Sequence, residues 1–162
     1  MIFVVQEHHG KRLHWDFRLE AGGVLKSWAV PRGPSLDPSQ RRLAIQVPDH
    51  ALSCAEYEGI LPAGSYGAGA VLTWDRGEYD AVDPADPVEG LARGRLVLRL
   101  RGRTLRGLFA LARLAGPGRE NSWLLIKERD EHARPGWKTP ARLTPARARR
   151  LRAAPPPRGA SG

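Results

Sequence analysis

The chain has 162 residues, one cysteine and a formal net charge of +9 at pH 7. The lone Cys54 excludes an internal disulfide framework and indicates a reducing, cytoplasmic environment, and no apolar run approaches the roughly 18 residues that a membrane span needs. The length predicts one folded domain without a membrane segment, and the excess of basic residues favours a polyanionic partner.

The positive charge is concentrated at one end of the chain. Residues 140–162 contain six arginines and no acidic residue, so they carry two thirds of the net charge. This Ala, Arg and Pro composition buries too little apolar surface to offset the entropy of ordering. We therefore predict a folded domain over residues 1–135 and a largely disordered basic tail over residues 136–162. The tail is either a solubilising segment or a basic arm for nucleic acid.

Short strands separated by turn residues follow one another from the N-terminus. The pattern predicts a hairpin with strands at 2–6 and 13–19, and further strands at 24–30, 43–47, 70–74, 78–82, 95–101, 104–111 and 123–127. Between them we expect one irregular helical turn within 51–57, a glycine-rich barrel corner at 61–69, a turn at 75–77 and an acidic loop at 83–89. The fold class predicted is mainly β: a single compact antiparallel β-barrel of about eight strands, with short flanking helices or turns.

The second strand carries chemically distinct faces. Successive side chains of a strand point to opposite sides, so His14, Asp16 and Arg18 share one face. The opposite face is the predicted core face, formed by Trp15, Phe17 and Leu19. An imidazole, a carboxylate and a guanidinium in phase indicate a functional surface rather than a merely soluble one.

The hairpin turn adds a third candidate ligand. It returns His8 or His9 beside His14 and Asp16. Two imidazoles and a carboxylate form a mixed nitrogen and oxygen donor set that suits Mn²⁺, Fe²⁺ or Zn²⁺ and leaves positions open for water or substrate. Arg18 would lie beside the metal as a bidentate clamp for phosphate or carboxylate.

Several motifs, in order, carry a resemblance to a known family. They occupy residues 3–8, 12–20, 25–35, 47–50, 57–59, 62–69, 74–77 and 123–127. Together they resemble the 3′-phosphoesterase domain of bacterial and archaeal DNA ligase D, over about residues 2–131. The resemblance implies a compact β-barrel. It also implies either a stand-alone form of the domain or one excised from a longer chain.

The resemblance assigns metal ligands and phosphate-binding groups. It places the metal ligands at His8, His14 and Asp16, with Mn²⁺ as the metal and Co²⁺ or Zn²⁺ as alternatives. The phosphate-binding residues it implies are Arg18, Arg32, Arg42 and His50, of which Arg18, Arg42 and His50 are also the catalytic ones. His9 is an addition to the family pattern, and could compete as a ligand or simply lie in the loop. Cys54 replaces a tyrosine that often assists at the phosphate, and a thiol is a weaker hydrogen-bond donor.

The activity implied is that of a metal-dependent phosphodiesterase and phosphomonoesterase, a hydrolase acting on DNA 3′ ends in non-homologous end joining. It would remove a 3′-terminal ribonucleoside to leave a 3′-phosphate, and then hydrolyse that phosphate to a 3′-hydroxyl. The implied substrates are the 3′ ends of DNA or DNA–RNA primers, and the implied partners of this monomer are a separate DNA ligase, polymerase or Ku protein in trans. A non-catalytic nucleic-acid-binding β-barrel and a barrel acting on a small phosphorylated molecule stay open as alternatives.

Overall fold

The computed structural model describes residues 1–64, 68–155 and 157 of the chain. Its strands are β1 (Ile2–His9), β2 (Leu13–Ala21), β3 (Val24–Val30), β4 (Arg42–His50), β5 (Gly59–Leu61), β6 (Gly69–Asp83), β7 (Arg95–Gly102), β8 (Arg106–Arg113) and β9 (Ser122–Lys127). A 3₁₀ helix, Leu52–Glu56, follows β4, and two short α-helices, α1 (Pro87–Arg93) and α2 (Pro145–Arg150), complete the described elements. None of the helices in the described ranges is long and apolar enough to cross a membrane.

Eight of these strands close into an antiparallel barrel. Their order is β1-β2-β3-β4-β9-β8-β7-β6, and β6 pairs back onto β1. The short β5 pairs with the beginning of β6. The prediction of a mainly β, single antiparallel barrel of about eight strands with short helices is therefore confirmed.

The barrel interior is filled by one face of each strand. The predicted core face of β2 is confirmed, because Trp15, Phe17 and Leu19 are buried in the main apolar cluster. Trp28 of β3 and Trp123 of β9 meet edge to face, with ring centroids 5.7 Å apart. Burying each such aromatic side chain contributes about 1.5–3 kcal/mol. This packing holds β2 in the register that presents its polar residues on the outside.

The predicted turn at 75–77 is wrong, because β6 runs without interruption from Gly69 to Asp83. A β-bulge at Trp74 shifts its pairing with β1. The residues that suggested a turn serve other purposes. The Asp75 carboxylate accepts N–H groups of the loop between β7 and β8, including Leu105 at 2.7 Å. A Cβ on Gly77 would lie 2.2 Å from the Arg101 carbonyl oxygen, so glycine allows the close approach of β7.

The predicted acidic loop at 83–89 is partly wrong, because α1 begins inside it. Asp86 caps this helix by accepting the Val88 N–H at 3.0 Å, and Pro87 occupies the first turn. Gly94 ends the helix in the left-handed conformation. The capping signals were present in the sequence, but the helix is only seven residues long and lacks a long periodic pattern.

Residues 137–155 make specific contacts with the barrel. Trp137 packs edge to face on Trp74 at 6.2 Å, and the Trp74 indole donates to the Pro140 carbonyl at 2.8 Å. Further on, Ala153 forms a parallel bridge with Ile60. The expectation of a largely disordered tail did not anticipate these contacts, because it considered only the apolar surface of the tail and not the polar groups of the barrel. The domain boundary at residue 135 stays a prediction.

Two of the sequence predictions include residues that the structure does not describe. Residues 65–67 of the glycine-rich corner, and residues 156 and 158–162 of the tail, lie outside the described residues.

Candidate metal and phosphate site

Two histidines and an aspartate meet on the outer face of the β1–β2 hairpin. The strand register sets His8 opposite His14. Asp16 lies two residues further along β2 and so points to the same face as His14. His8 Nδ1 is 3.3 Å from Asp16 Oδ2, and His14 Nε2 is 3.2 Å from Asp16 Oδ1. One nitrogen or oxygen atom from each of the three residues lies within 4.8 Å of the other two. The group predicted from the sequence is therefore brought together in space.

The electrostatics of this group favour an ionised carboxylate. Burial alone would raise the pKa of Asp16, but hydrogen bonds with His14 and His8 and the charge of Arg18 lower it well below its usual range. Burial opposes protonation of His14, yet contact with Asp16 raises the pKa of this histidine overall. The arrangement thus keeps a negative oxygen between two imidazoles, which is a donor set that divalent transition metals accept.

Arg18 extends the site along β2. Its side chain is only 9% exposed; Nε donates to Gln6 Oε1 at 2.8 Å, and Nη2 lies 3.5 Å from Asp16 Oδ2. Nη1 is buried and has no hydrogen-bond partner within the described part of the chain. Burial lowers the pKa of Arg18, but guanidinium stays charged at any pH of interest. A buried cation with a spare N–H is suited to receive an anionic oxygen.

His50 ends β4 opposite Leu25, and the charges of Arg18 and Asp16 act on its ring. Burial and the positive charge of Arg18 lower the pKa of His50, so its ring is neutral near pH 7. Its Nδ1 lies 2.9 Å from the Pro48 carbonyl. A carbonyl oxygen only accepts, so Nδ1 carries the proton of the neutral ring and Nε2 is left as an acceptor.

Cys54 lies in the 3₁₀ helix that covers this face, where it is buried. Burial raises the pKa of its thiol, which is therefore protonated at neutral pH. Its backbone carbonyl accepts the Gln6 side-chain N–H at 2.9 Å. The buried Cys54 side chain and the hydrogen bond of its carbonyl with Gln6 thus cover one side of the site.

Arg32 and Arg42 lie in a second pocket, at the end of the barrel. Arg42 Nη1 donates to the Arg32 carbonyl at 2.7 Å, and its other terminal nitrogen contacts Gln40. Burial and the neighbouring Arg32 charge lower the pKa of Arg42. The cavity has a volume of about 450 Å³, and Lys138 and Trp137 also line it. The hydrogen bonds of Arg42 connect it to the β3–β4 loop, whereas Arg18 and His50 accompany the histidine group.

His9 is directed away from the other histidines. Its Nε2 lies 2.5 Å from Glu7 Oε2, and Glu7 is completely buried. Both residues occupy the strand positions that alternate with His8, so they face the barrel end rather than its outer wall. Of the two roles left open for His9, this geometry favours the non-ligand one.

The sequence analysis missed Gln6 and Lys138. Gln6 accepts from Arg18 and donates to the carbonyls of Cys54 and Tyr57, so it joins the site to its cover. Its alternation with His8 along β1 was a signal that could have identified it. Lys138 joins the second pocket only through the path of the C-terminal segment, for which the sequence holds no comparable signal.

The donor set fits a divalent metal on chemical grounds. The His14 side chain is 26% exposed, so the group is accessible from one side, whereas Asp16 is shielded. Two imidazole nitrogens and one carboxylate oxygen leave room for further ligands. The spare N–H of Arg18 lies on the neighbouring residue of the same face. The chemistry of this arrangement suits an anion between a divalent metal and an arginine.

Comparisons with known proteins give one consistent family. A family model described as the DNA ligase D 3′-phosphoesterase domain matches residues 6–113. The chain is 51% identical over 132 residues to the multifunctional non-homologous end joining protein LigD of Pseudomonas aeruginosa, covering 82% of this chain and 16% of that protein. The corresponding DNA repair protein of Mycobacterium tuberculosis is 46% identical over 114 residues, covering 70% of this chain and 15% of that protein. The chain thus spans about a sixth of the length of these relatives.

Proposed function

Because the chain belongs to the family of DNA ligase D 3′-phosphoesterase domains, we propose that it hydrolyses phosphate esters at DNA 3′ ends with the help of Mn²⁺. The proposed reaction has two steps. The first removes a 3′-terminal ribonucleoside and leaves a 3′-phosphate, and the second releases that phosphate and leaves the 3′-hydroxyl needed for end joining.

The observation that carries this proposal is the buried, unpartnered Nη1 of Arg18 beside the three-residue donor group. Leaving a buried N–H without a partner costs about 1–3 kcal/mol, and more when the group is charged. A phosphate oxygen received there would remove this cost. It would also gain a short charge-assisted hydrogen bond.

His8, His14 and Asp16 would hold the metal, for which Co²⁺ and Zn²⁺ are alternatives to Mn²⁺. When bound, a divalent ion neutralises phosphate charge and lowers the pKa of a coordinated water. The imidazole contacts of Asp16 hold its two oxygens in place before any ligand arrives. This preorganisation restricts the donor atoms to the outer face of the hairpin.

The remaining residues act on the phosphate and the attacking water. Arg18 donates an N–H to a non-bridging oxygen and offsets the negative charge that increases in the transition state. His50 is neutral and presents Nε2 as an acceptor, so it can take a proton from water rather than protonate a leaving group. Arg32 and Arg42 would bind a further phosphate of the strand in the second pocket.

Product mapping tests the proposal. A 5′-labelled primer–template that ends in one 3′-ribonucleotide is incubated with Mn²⁺ or with EDTA. The wild type is expected to shorten it to a 3′-phosphate and then to a 3′-hydroxyl. His14→Ala and Asp16→Ala should lose both steps, whereas the matched control His132→Ala, outside the site, should retain them.

The outcomes separate the alternatives. Equal cleavage in EDTA would contradict the metal requirement, and unchanged cleavage by Asp16→Ala would contradict the site. Accumulation of the 3′-phosphate would show that only the first step is efficient, with Cys54 as the residue to exchange first. Absence of cleavage with retained duplex binding would favour the non-catalytic nucleic-acid-binding barrel.

The partners follow from the same premise. We propose that the domain works as a monomer on 3′ ends that a separate ligase or polymerase, or the Ku protein, meets in trans. Its relatives are named as end-joining proteins, of which this chain matches only one part.

A further inference from the structure

Another cavity, of about 600 Å³, lies alongside the C-terminal segment and has a different lining from the pocket of Arg32 and Arg42. Four arginines line it: Arg142, Arg147, Arg150 and Arg152. All four follow the residues matched by the family model, which ends at residue 113. The cavity is therefore built largely by a part of the chain that the family match does not describe.

The charge of this cavity is strongly positive. Glu58 is the acidic residue in its lining, and its carboxylate already accepts from Arg147 at 3.1 Å and from the Thr73 backbone N–H at 2.6 Å. Glu58 is thus one carboxylate among four lining arginines. Arg150 and Arg152 are both exposed. Such an excess of guanidinium groups is the recognition chemistry of phosphate oxygens.

Hydrogen bonds fix the segment that carries these arginines at its C-terminal end. The Ile60 N–H donates to the Arg152 carbonyl at 2.9 Å, and the Tyr57 hydroxyl donates to the Ala154 carbonyl at 2.7 Å. Arg152 Nη1 also donates to the Arg149 carbonyl at 2.7 Å, which restrains its guanidinium. The backbone that carries Arg152 is therefore held in place before a ligand binds, which reduces the entropic cost of binding.

The cavity is connected to the candidate metal site through Gln6. The Gln6 side chain accepts from Arg18 Nε at 2.8 Å and donates to the Tyr57 carbonyl at 3.2 Å, and Tyr57 directly precedes Glu58 of the cavity lining. A DNA duplex presents a charge about every 1.7 Å along its axis, so a duplex whose 3′ end is at the metal site offers further phosphates along its length.

We propose that the arginine cavity binds backbone phosphates of the duplex that carries the 3′ end. This inference rests on the proposed function, because the duplex is the substrate proposed there. It assigns the basic C-terminal segment a role in substrate affinity, while the histidine group and Arg18 keep the chemistry.

Equilibrium binding without metal tests the inference independently of catalysis. A fluorescent primer–template with an all-DNA 3′-hydroxyl end is titrated with the full chain in EDTA at several salt concentrations. Arg150→Gln/Arg152→Gln should bind about tenfold more weakly, and the slope of log K against log salt should fall by about 2. The matched control Arg95→Gln/Arg99→Gln removes two exposed charges on β7 and should keep the wild-type slope.

A variant that is expected to increase duplex affinity strengthens the test. Glu58→Gln removes the competing charge and keeps an acceptor for Thr73, so it should bind the duplex about threefold more tightly. Urea unfolding of each variant confirms that the barrel is intact.

Equal slopes for Arg150→Gln/Arg152→Gln and the wild type would overturn the inference, as would an equal loss in the β7 control. Neither result bears on product mapping, where failure of the wild type to cleave would refute the proposed function. Loss of binding in Arg150→Gln/Arg152→Gln, with tightening in Glu58→Gln, would establish the phosphate site.

Discussion

The barrel contains two buried cation–carboxylate pairs that differ in one respect. Lys127 is completely buried, and its ammonium group contacts the Leu108 carbonyl at 3.1 Å, the Glu128 carbonyl at 3.0 Å and Asp130 Oδ1 at 2.7 Å. Arg18 is nearly as buried and pairs with Asp16, yet its Nη1 has no partner among the described residues. The first pair uses every N–H that the ammonium offers, and the second does not.

We infer from this difference that the first pair serves the fold, whereas the second has a donor available for the proposed phosphate. Lys127 connects the end of β9 to β8 and lies 5.2 Å from the Phe109 ring centroid, so its charge is compensated from several directions. Arg18 lies on the face that bears the histidines, and its Nη1 donor has no partner among the described residues. The two buried cations therefore have different expected responses to mutation.

The largest effect should come from breaking the structural pair. Lys127→Ala leaves Asp130 without its cation and opens a cavity, and we expect the free energy of unfolding to fall by about 3–5 kcal/mol. Turnover per folded molecule should stay unchanged. Urea titration measures the loss, and Arg93→Ala, which breaks an exposed ion pair with Glu89, should cost less than about 1 kcal/mol. Equal losses in the two variants would remove the distinction.

Arg18→Lys should affect activity more than stability. Lysine keeps the charge but cannot place two parallel N–H groups on a phosphate, so we expect primer-end hydrolysis to fall about 10- to 100-fold. The unfolding free energy should fall by about 1–3 kcal/mol, less than in Lys127→Ala, because lysine keeps a charge beside Asp16 but gives up the buried hydrogen bond of Arg18 Nε to Gln6. Initial rates at saturating substrate report the first quantity, and Arg113→Lys provides a matched control on β8. A loss of stability without a loss of rate would place Arg18 with Lys127.

A substitution of the buried Glu7 tests whether this carboxylate also contributes to the stability of the fold. Its oxygens accept the backbone N–H of Arg142 at 2.6 Å and of Leu143 at 3.0 Å. Glu7→Gln replaces one acceptor oxygen with a donor, which should cost about 1–2 kcal/mol. Faster hydrogen exchange at the amides of Arg142 and Leu143 would locate the loss. Glu78→Gln, at a side chain that is 73% exposed, should change neither quantity.

The smallest effect concerns acid stability. Burial would raise the pKa of Asp130, but the Leu108 N–H, the Lys127 ammonium and the His132 N–H lower it to about 2. Its folded pKa lies below its unfolded value of about 4, so the stabilisation is present above pH 4 and lost as the pH falls towards 2. Unfolding free energies measured between pH 5 and 2 should show about 1 kcal/mol less acid dependence in Asp130→Asn than in the wild type, after allowance for partial exposure. Parallel curves would contradict the prediction.

The alternating strands could be predicted from the sequence because their signal is local. Trp15 and Asp16 occupy opposite faces by the two-residue period alone, and the same period brings His14 into the metal group. Asp75 shows where such reasoning fails. Its preference for turns was correctly recognised, but the turn it stabilises lies 30 residues away, between β7 and β8.

The site was less predictable wherever it depends on distant segments. The pocket that Arg42 lines depends on the path of the β3–β4 loop and on Trp137 and Lys138, which line it too. Arg18 Nη1 is unpartnered because Gln6 contacts Nε and Asp16 contacts Nη2. No periodicity in the chain predicts which nitrogen of Arg18 is contacted by which residue.

The contact between Glu7 and the C-terminal segment has a consequence for how the protein is made. The two partners are 135 residues apart, and β1 must also wait for β6 before the barrel can close. At ordinary synthesis rates, Glu7 leaves the ribosome on the order of ten seconds before Arg142. Until β6 has been synthesised, β1 has an unpaired edge, and until Arg142 and Leu143 follow, the Glu7 carboxylate lacks its amide partners. The first strand of the barrel in chain order is thus among the last to be completed.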